Sequence, residues 1–132
     1  EAKRGTSWKQ KLKQTIDRLV ITAKDYDDFL RLMQEAGYEI KIGKFPFTAS
    51  GKASAAGANE GFIKLIFNAA DNTLLGAHMV GMNVTEMIAE MVLARKVKAT
   101  AHDIIKTVHP HPTMSEAVME AAAAAYDEVI HI

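Results

Sequence analysis

The stretch GFIKLIFNAADNTLLGAHMV, residues 61–80, decides the fold. Gly61 to Phe67 is a run of strand length, rich in β-branched and aromatic residues, and Leu74 to Val80 is a second. Between them Asp71-Asn72 supplies turn-forming side chains. Two such runs on either side of a short polar connection predict an antiparallel hairpin. Upstream, Tyr38, Ile40, Ile42, Phe45 and Phe47 predict another extended strand, with Gly43 and Pro46 as irregularities within it. Residues 48–59, TASGKASAAGAN, are small and polar and predict a loop, with or without one helical turn.

Downstream the period changes from two to that of a helix. Asn83 and Glu86 have capping-box spacing and open a helix to about Arg95, with Met87, Ile88, Met91 and Val92 as its buried side. A short helix is expected near residues 101–107. His109-Pro110-His111-Pro112 then interrupts, because no regular helix runs through that spacing of prolines. Thr113 starts a last helix through the alanine run to about Asp127. At the other end, Ser7 and Gln10 predict a capped helix start, with Trp8, Leu12, Ile16, Leu19 and Val20 on one face. Asp25 caps a second helix whose apolar side holds Tyr26, Phe29, Leu30, Leu32 and Met33, and Gly37 reads as its left-handed stop. The order ααβββααα is α+β: an antiparallel sheet of about three strands covered by helices, with an N-terminal helical hairpin.

Composition bounds the function. The 132 residues are 48% hydrophobic and 24% charged, an ordinary globular balance for one domain. There is no cysteine, which excludes disulfides, thiolate metal sites, cysteine nucleophiles and a redox-active pair within these residues. No apolar run approaches the roughly 20 residues that span a bilayer, and no secretory leader pattern opens the sequence. Net charge is zero, yet residues 1–24 hold seven cations against Glu1 and Asp17. Without aromatic interleaving that asymmetry reads as a solvated helix face, with weak nucleic-acid binding as the alternative.

Taken alone, His109 and His111 beside prolines are turn residues, and Thr113-x-x-Glu116 is a capping box that would use Glu116 only to close a helix start. The alanine run 121–125 implies close helix packing. Met79, Met82, Met87, Met91, Met114 and Met119 fill a core or an interface.

The string HPHPTMSEAVMEAAAAAYDEVI (109–130) nevertheless resembles the C-terminal signature of dihydrolipoamide dehydrogenases, within the pyridine nucleotide–disulfide oxidoreductase family. KFPFTASGKASAAG (44–57), GFIKLIF (61–67), LLGAHMVG (74–81) and NVTEMIAEMVLARK (83–96) follow that family's order and spacing, so the resemblance runs from about Lys41 to the end. It implies a dimerisation domain and therefore a homodimer. It also implies that His111 serves the other subunit's active site as a general base toward a dihydrolipoamide thiol, oriented by Glu116, and that the His111-Pro112 bond is cis. The parent family uses FAD and NAD. These residues contain no GxGxxG and no cysteine, so the expectation is a non-catalytic domain with no cofactor, no metal and no small-molecule substrate of its own, in a cytoplasmic setting without membrane contact. The roles of His111 and Glu116 would then be vestigial. The alternative is a fragment that donates the His111–Glu116 base in trans to a partner chain.

Residues 5–41, GTSWKQKLKQTIDRLVITAKDYDDFLRLMQEAGYEIK, resemble instead a helix-helix-strand fragment of plasmid mobilisation relaxases. Ala36 to Lys41 suits both families, since each ends a helix with glycine there and enters a strand. The resemblances together imply an engineered chimera with a hairpin, residues 1–40, joined to a dehydrogenase interface domain, residues 41–132, in one compact unit. A natural gene fragment with unusual N-terminal helices is the other reading.

Overall fold

A computed structural model of the chain describes residues 8–131, leaving the side chains of Trp8, Lys9 and Tyr26 outside the description. The chain divides into two compact units, Glu1–Glu39 and Ile40–Ile132.

In the first unit, α1 (Trp8–Thr22) packs on α2 (Tyr26–Glu35). Asp25 caps α2 by accepting the Asp28 N–H at 2.8 Å, as its position before the apolar run predicts. The helix ends in a Schellman motif: Tyr38 N–H donates to Met33 C=O, Gly37 N–H donates to Gln34 C=O, and Gly37 has φ +85°. Leu19 and Met33 are buried, whereas Val20 of the expected apolar face points outward. Val20 follows Leu19 by a single residue, and one helix step of about 100° carries a side chain off the face its neighbour buries. Lys11, Lys13 and Arg18 are exposed, and Lys13 pairs with Asp17 one turn on. The expected capping role of Ser7 lies outside the described residues.

The second unit is built on a three-stranded antiparallel meander, β1 (Ile40–Pro46), β2 (Gly61–Asn68) and β3 (Leu74–Gly81), in the order β1-β2-β3. Alternation fixes which face is covered. Ile63, Leu65 and Phe67 of β2 and Phe45 of β1 are buried, and the register sets Phe45 opposite Ile63, with Met79 on the far side. A register shift between Ile66 and Phe67 leaves Leu75 as the extra residue of a bulge beside the turn, where Asn72 takes φ +60°. Between β1 and β2 a 3-10 turn, Phe47–Ala49, leads into a single-turn helix, α3 (Gly51–Ala55), capped by Ser50.

Three helices follow: α4 (Val84–Lys96), α5 (Ala101–Lys106) and α6 (Glu116–Ala124). α6 packs on β1 and β2, α4 on β3, and α5 on α6. Their side chains Met87, Met91, Ile104, Val118 and Ala121, with Met114 from the turn before α6, join the strand residues in one core. The alanines let α6 approach the sheet closely. A Cβ on Gly43 would lie 1.9 Å from the Ala121 carbonyl oxygen, so Gly43 and the alanine run are complementary parts of one contact.

Three local expectations need correction. Asn83 does not cap α4 with its side chain; it adopts a left-handed φ of 63°, and the extended backbone that aims an N-cap side chain at the first turn is lost. Val92 is exposed rather than buried, because β3 covers only the stripe of α4 that holds Met87 and Met91. The last helix begins at Glu116, with Met114 and Ser115 in a turn ahead of it.

Candidate active site

The HPHP segment is the loop between α5 and α6, and its two ends are fixed independently. Thr100 and Asp103 form a reciprocal capping box at the start of α5. The opening of α6 lacks a side-chain cap on Ser115; Glu116 reaches back instead and accepts the Thr113 N–H at 2.7 Å. Thr113 Oγ1 donates to the Pro110 carbonyl at 2.7 Å, closing the turn from inside. The His111-Pro112 peptide is cis.

The structure brings His111 and Glu116 together. His111 Nδ1 lies 2.8 Å from Glu116 Oε1. Burial pushes the Glu116 carboxyl upward, but the Thr113 N–H and the His111 hydrogen bond outweigh it and hold the group below its ordinary value. An ionised carboxylate only accepts, so His111 donates through Nδ1–H. The neutral ring then carries its lone pair on Nε2, for which the described residues supply no partner. The His111 side chain is 78% exposed and that of Glu116 24%. The arrangement is an exposed imidazole whose ring orientation is fixed by a carboxylate. Glu116 thus hydrogen-bonds both to the backbone at the helix start and to the His111 ring.

His109 occupies the opposite environment. Its side chain is only 5% exposed. Nδ1 lies 2.9 Å from the Thr107 carbonyl oxygen and Nε2 lies 2.9 Å from Glu90 Oε1 on α4. A carbonyl oxygen and a carboxylate oxygen both accept, so this setting favours a proton on each ring nitrogen of His109. The hydrogen bond that His109 donates to Glu90 raises the His109 pKa above its ordinary value, against the opposing effect of burial. The role of Glu90 was not legible beforehand: it sits one turn after Glu86 in a helix pattern where a carboxylate reads as solvated surface.

A second carboxylate is buried on α6. Glu120 accepts the Ile130 N–H at 3.0 Å and pairs with His131 Nδ1, tying the segment after α6 back to that helix. Tyr126 donates to Asn72 Oδ1 at 2.8 Å and packs edge-on against Phe67, fastening the far end of the helix to the β2–β3 turn. Among the described residues there is no cluster of three side chains able to hold a metal ion, and no helix is long and apolar enough to cross a membrane. No GxGxxG phosphate loop occurs among them, and no buried side-chain polar atom lacks a hydrogen-bond partner.

Apolar side chains stand exposed around α4. Met82 precedes the helix, Val92 and Leu93 lie on it, and Val97 ends it, each more than half exposed. A helix that buries Met87 and Met91 on one stripe and presents Val92 and Leu93 on another is apolar on two sides.

Comparison with known proteins agrees with this architecture. In solved structures the fold matches the HOCl-induced flavoprotein disulfide reductase RclA from Escherichia coli, with a TM-score of 0.64 and 22% identity over 70% of this chain and 21% of that one. LpdA from Mycobacterium tuberculosis matches with a TM-score of 0.63 and 18% identity over 70% of this chain and 20% of its own. Among curated relatives, the dihydrolipoyl dehydrogenase of Zymomonas mobilis is 51% identical over 98 residues, or 74% of this chain and 21% of the relative. That of Bacillus subtilis is 48% identical over 95 residues, 72% of this chain and 20% of the relative. The chain thus spans about a fifth of the length of the curated relatives it matches. Residues 31–122 match the pyridine nucleotide-disulphide oxidoreductase dimerisation domain, a match that starts inside α2, ahead of the Lys41 boundary read from the sequence. The chain belongs to the family of pyridine nucleotide-disulphide oxidoreductase dimerisation domains.

Proposed function

We propose that this chain is a self-associating module of dihydrolipoamide dehydrogenase type, whose role is homodimerisation and whose exposed loop presents His111 and Glu116 as a proton-accepting pair to an active site on another polypeptide. The observation that carries this reading is the 2.8 Å contact between His111 Nδ1 and Glu116 Oε1, in a His111 side chain that is otherwise largely exposed. The exposed apolar side of α4 supports the association half of the proposal. By themselves these residues turn over nothing and bind neither FAD nor NAD: a base without a redox centre has no reaction to complete. A cytoplasmic setting follows the parent enzymes.

We read the N-terminal helices as a relaxase-like hairpin recombined onto this domain, in an engineered chain. What supports it is the resemblance of residues 5–41 and a junction suited to both parents, where Gly37 stops α2 and β1 begins at Ile40. Since the family match reaches Arg31, the two resemblances overlap between Arg31 and Lys41 rather than abutting.

The test is a domain exchange. Residues 41–132 replace the matching segment of the Zymomonas mobilis dihydrolipoyl dehydrogenase, and dihydrolipoamide oxidation is measured with and without His111→Gln. Loss of a general base should lower the rate by roughly 10²–10⁴-fold while NADH oxidation by an artificial acceptor persists. A folded hybrid whose rate is indifferent to His111→Gln would refute the proton-accepting role.

A further inference from the structure

Two histidines separated by one proline receive opposite treatment in this loop. His111 is open to solvent, and His109 is enclosed between the Thr107 carbonyl and the Glu90 carboxylate. Pro110 and Pro112 offer no backbone N–H, so the loop relies on side chains to fix its path. It has two such ties to the helices around it. Glu116 grips it from α6 through Thr113 N–H and His111, and Glu90 grips it from α4 through His109. His111 lies between them in sequence.

We propose that His109, held by Glu90, is a positioning residue, which anchors the loop to α4 and thereby sets the His111 ring on the Glu116 carboxylate. This rests on the reading of His111 and Glu116 as a proton-accepting pair and extends it to two residues that hydrogen-bond to neither member of the pair. The charged groups facing His109 are Glu90 from α4 and Glu116 from α6, and the Thr107 carbonyl completes its surroundings from the loop itself. In this role His109 positions the loop and passes no proton to or from a substrate.

The experiment is side-chain nitrogen NMR of the histidines in the 132-residue chain. In the unaltered protein both ring nitrogens of His109 should be protonated near pH 6. The neutral ring of His111 should favour the Nδ1–H tautomer by roughly tenfold or more, the bias that a hydrogen bond to a carboxylate sustains. In Glu90→Gln, His109 gives up its Nε2 proton and the His111 preference falls to about threefold or less. His109→Gln, which keeps polar ends without the charge, should give the same fall, and Glu90→Asp should recover part of it. Ile104→Val, a core change away from the loop, serves as a stability control and should leave the tautomer ratio unaltered. An unchanged His111 ratio in both Glu90→Gln and His109→Gln overturns the proposal, whatever the exchanged enzyme does. An exchanged enzyme indifferent to His111→Gln would instead refute the underlying base, with the tautomer result intact.

Discussion

Gly43 and Ala121 meet backbone to backbone: a methyl group on Gly43 would stand 1.9 Å from the Ala121 carbonyl oxygen and 2.6 Å from the Ala125 nitrogen. Neither neighbour is the flexible end of a side chain, so the clash cannot be relieved by a rotamer change. The contact holds α6, and with it Glu116, against the first strand of the sheet.

Gly43→Ala should therefore lower the unfolding free energy by about 2–3 kcal/mol, the range for forcing extra volume into a closed core. Gly76→Ala, in the same sheet but with nothing within 4 Å of its added Cβ, should cost little. Urea unfolding of the two variants checks the contrast. Equal effects would mean that α6 can ride outward and that its approach to β1 is not a constraint.

Much of this arrangement could be read from the chain. The alternation of Ile63, Leu65 and Phe67 against their neighbours, the Asp71-Asn72 turn and the left-handed Gly37 are local signals, and local geometry obeys them. The pairing of His111 with Glu116 was legible only through the family resemblance of residues 109–130, since spacing alone made Glu116 a helix cap and His111 a turn residue. What escaped was long-range. The partner of His109 lies 19 residues earlier on another helix, and no periodicity announces it. The exposure of Val92 escaped for a related reason, since an apolar residue beside Met91 looks buried until the breadth of the covering sheet is known. Asn83 misled because asparagine favours both the N-cap and the left-handed turn, and the sequence does not say which it takes.

Leu93, 62% exposed on α4, should matter to association and not to folding. Leu93→Lys is expected to weaken self-association by roughly thirty-fold or more, as for a central interface residue, while the far-ultraviolet circular dichroism and thermal midpoint of the dissociated protein stay near the original. Sedimentation velocity over a concentration series reads the effect. Undiminished association in Leu93→Lys would move the contact surface elsewhere.

The partly buried His109–Glu90 pair predicts a definite pH dependence. Because the folded pKa of His109 is raised, its contribution is complete below the ordinary histidine value and fades as pH rises through the folded one. Glutamine at position 90 cannot balance an imidazolium but can donate to a neutral ring. Glu90→Gln should accordingly be less stable than the unaltered protein by about 1–2 kcal/mol between about pH 5 and 6, and the gap should narrow toward pH 8. Thermal or urea unfolding across that range is the check; a gap that widens with pH would contradict the imidazolium assignment.

The central claim is that these residues still associate as a dimerisation domain. Absolute mass by light scattering during size-exclusion chromatography, over a hundredfold range of loading, tests it most directly. The account predicts a species of twice 14.4 kDa that persists as the protein is diluted and separates only at the lowest loadings. A mass of 14.4 kDa at every concentration would contradict it, leaving a family member that keeps the fold and the His111–Glu116 pair without the association.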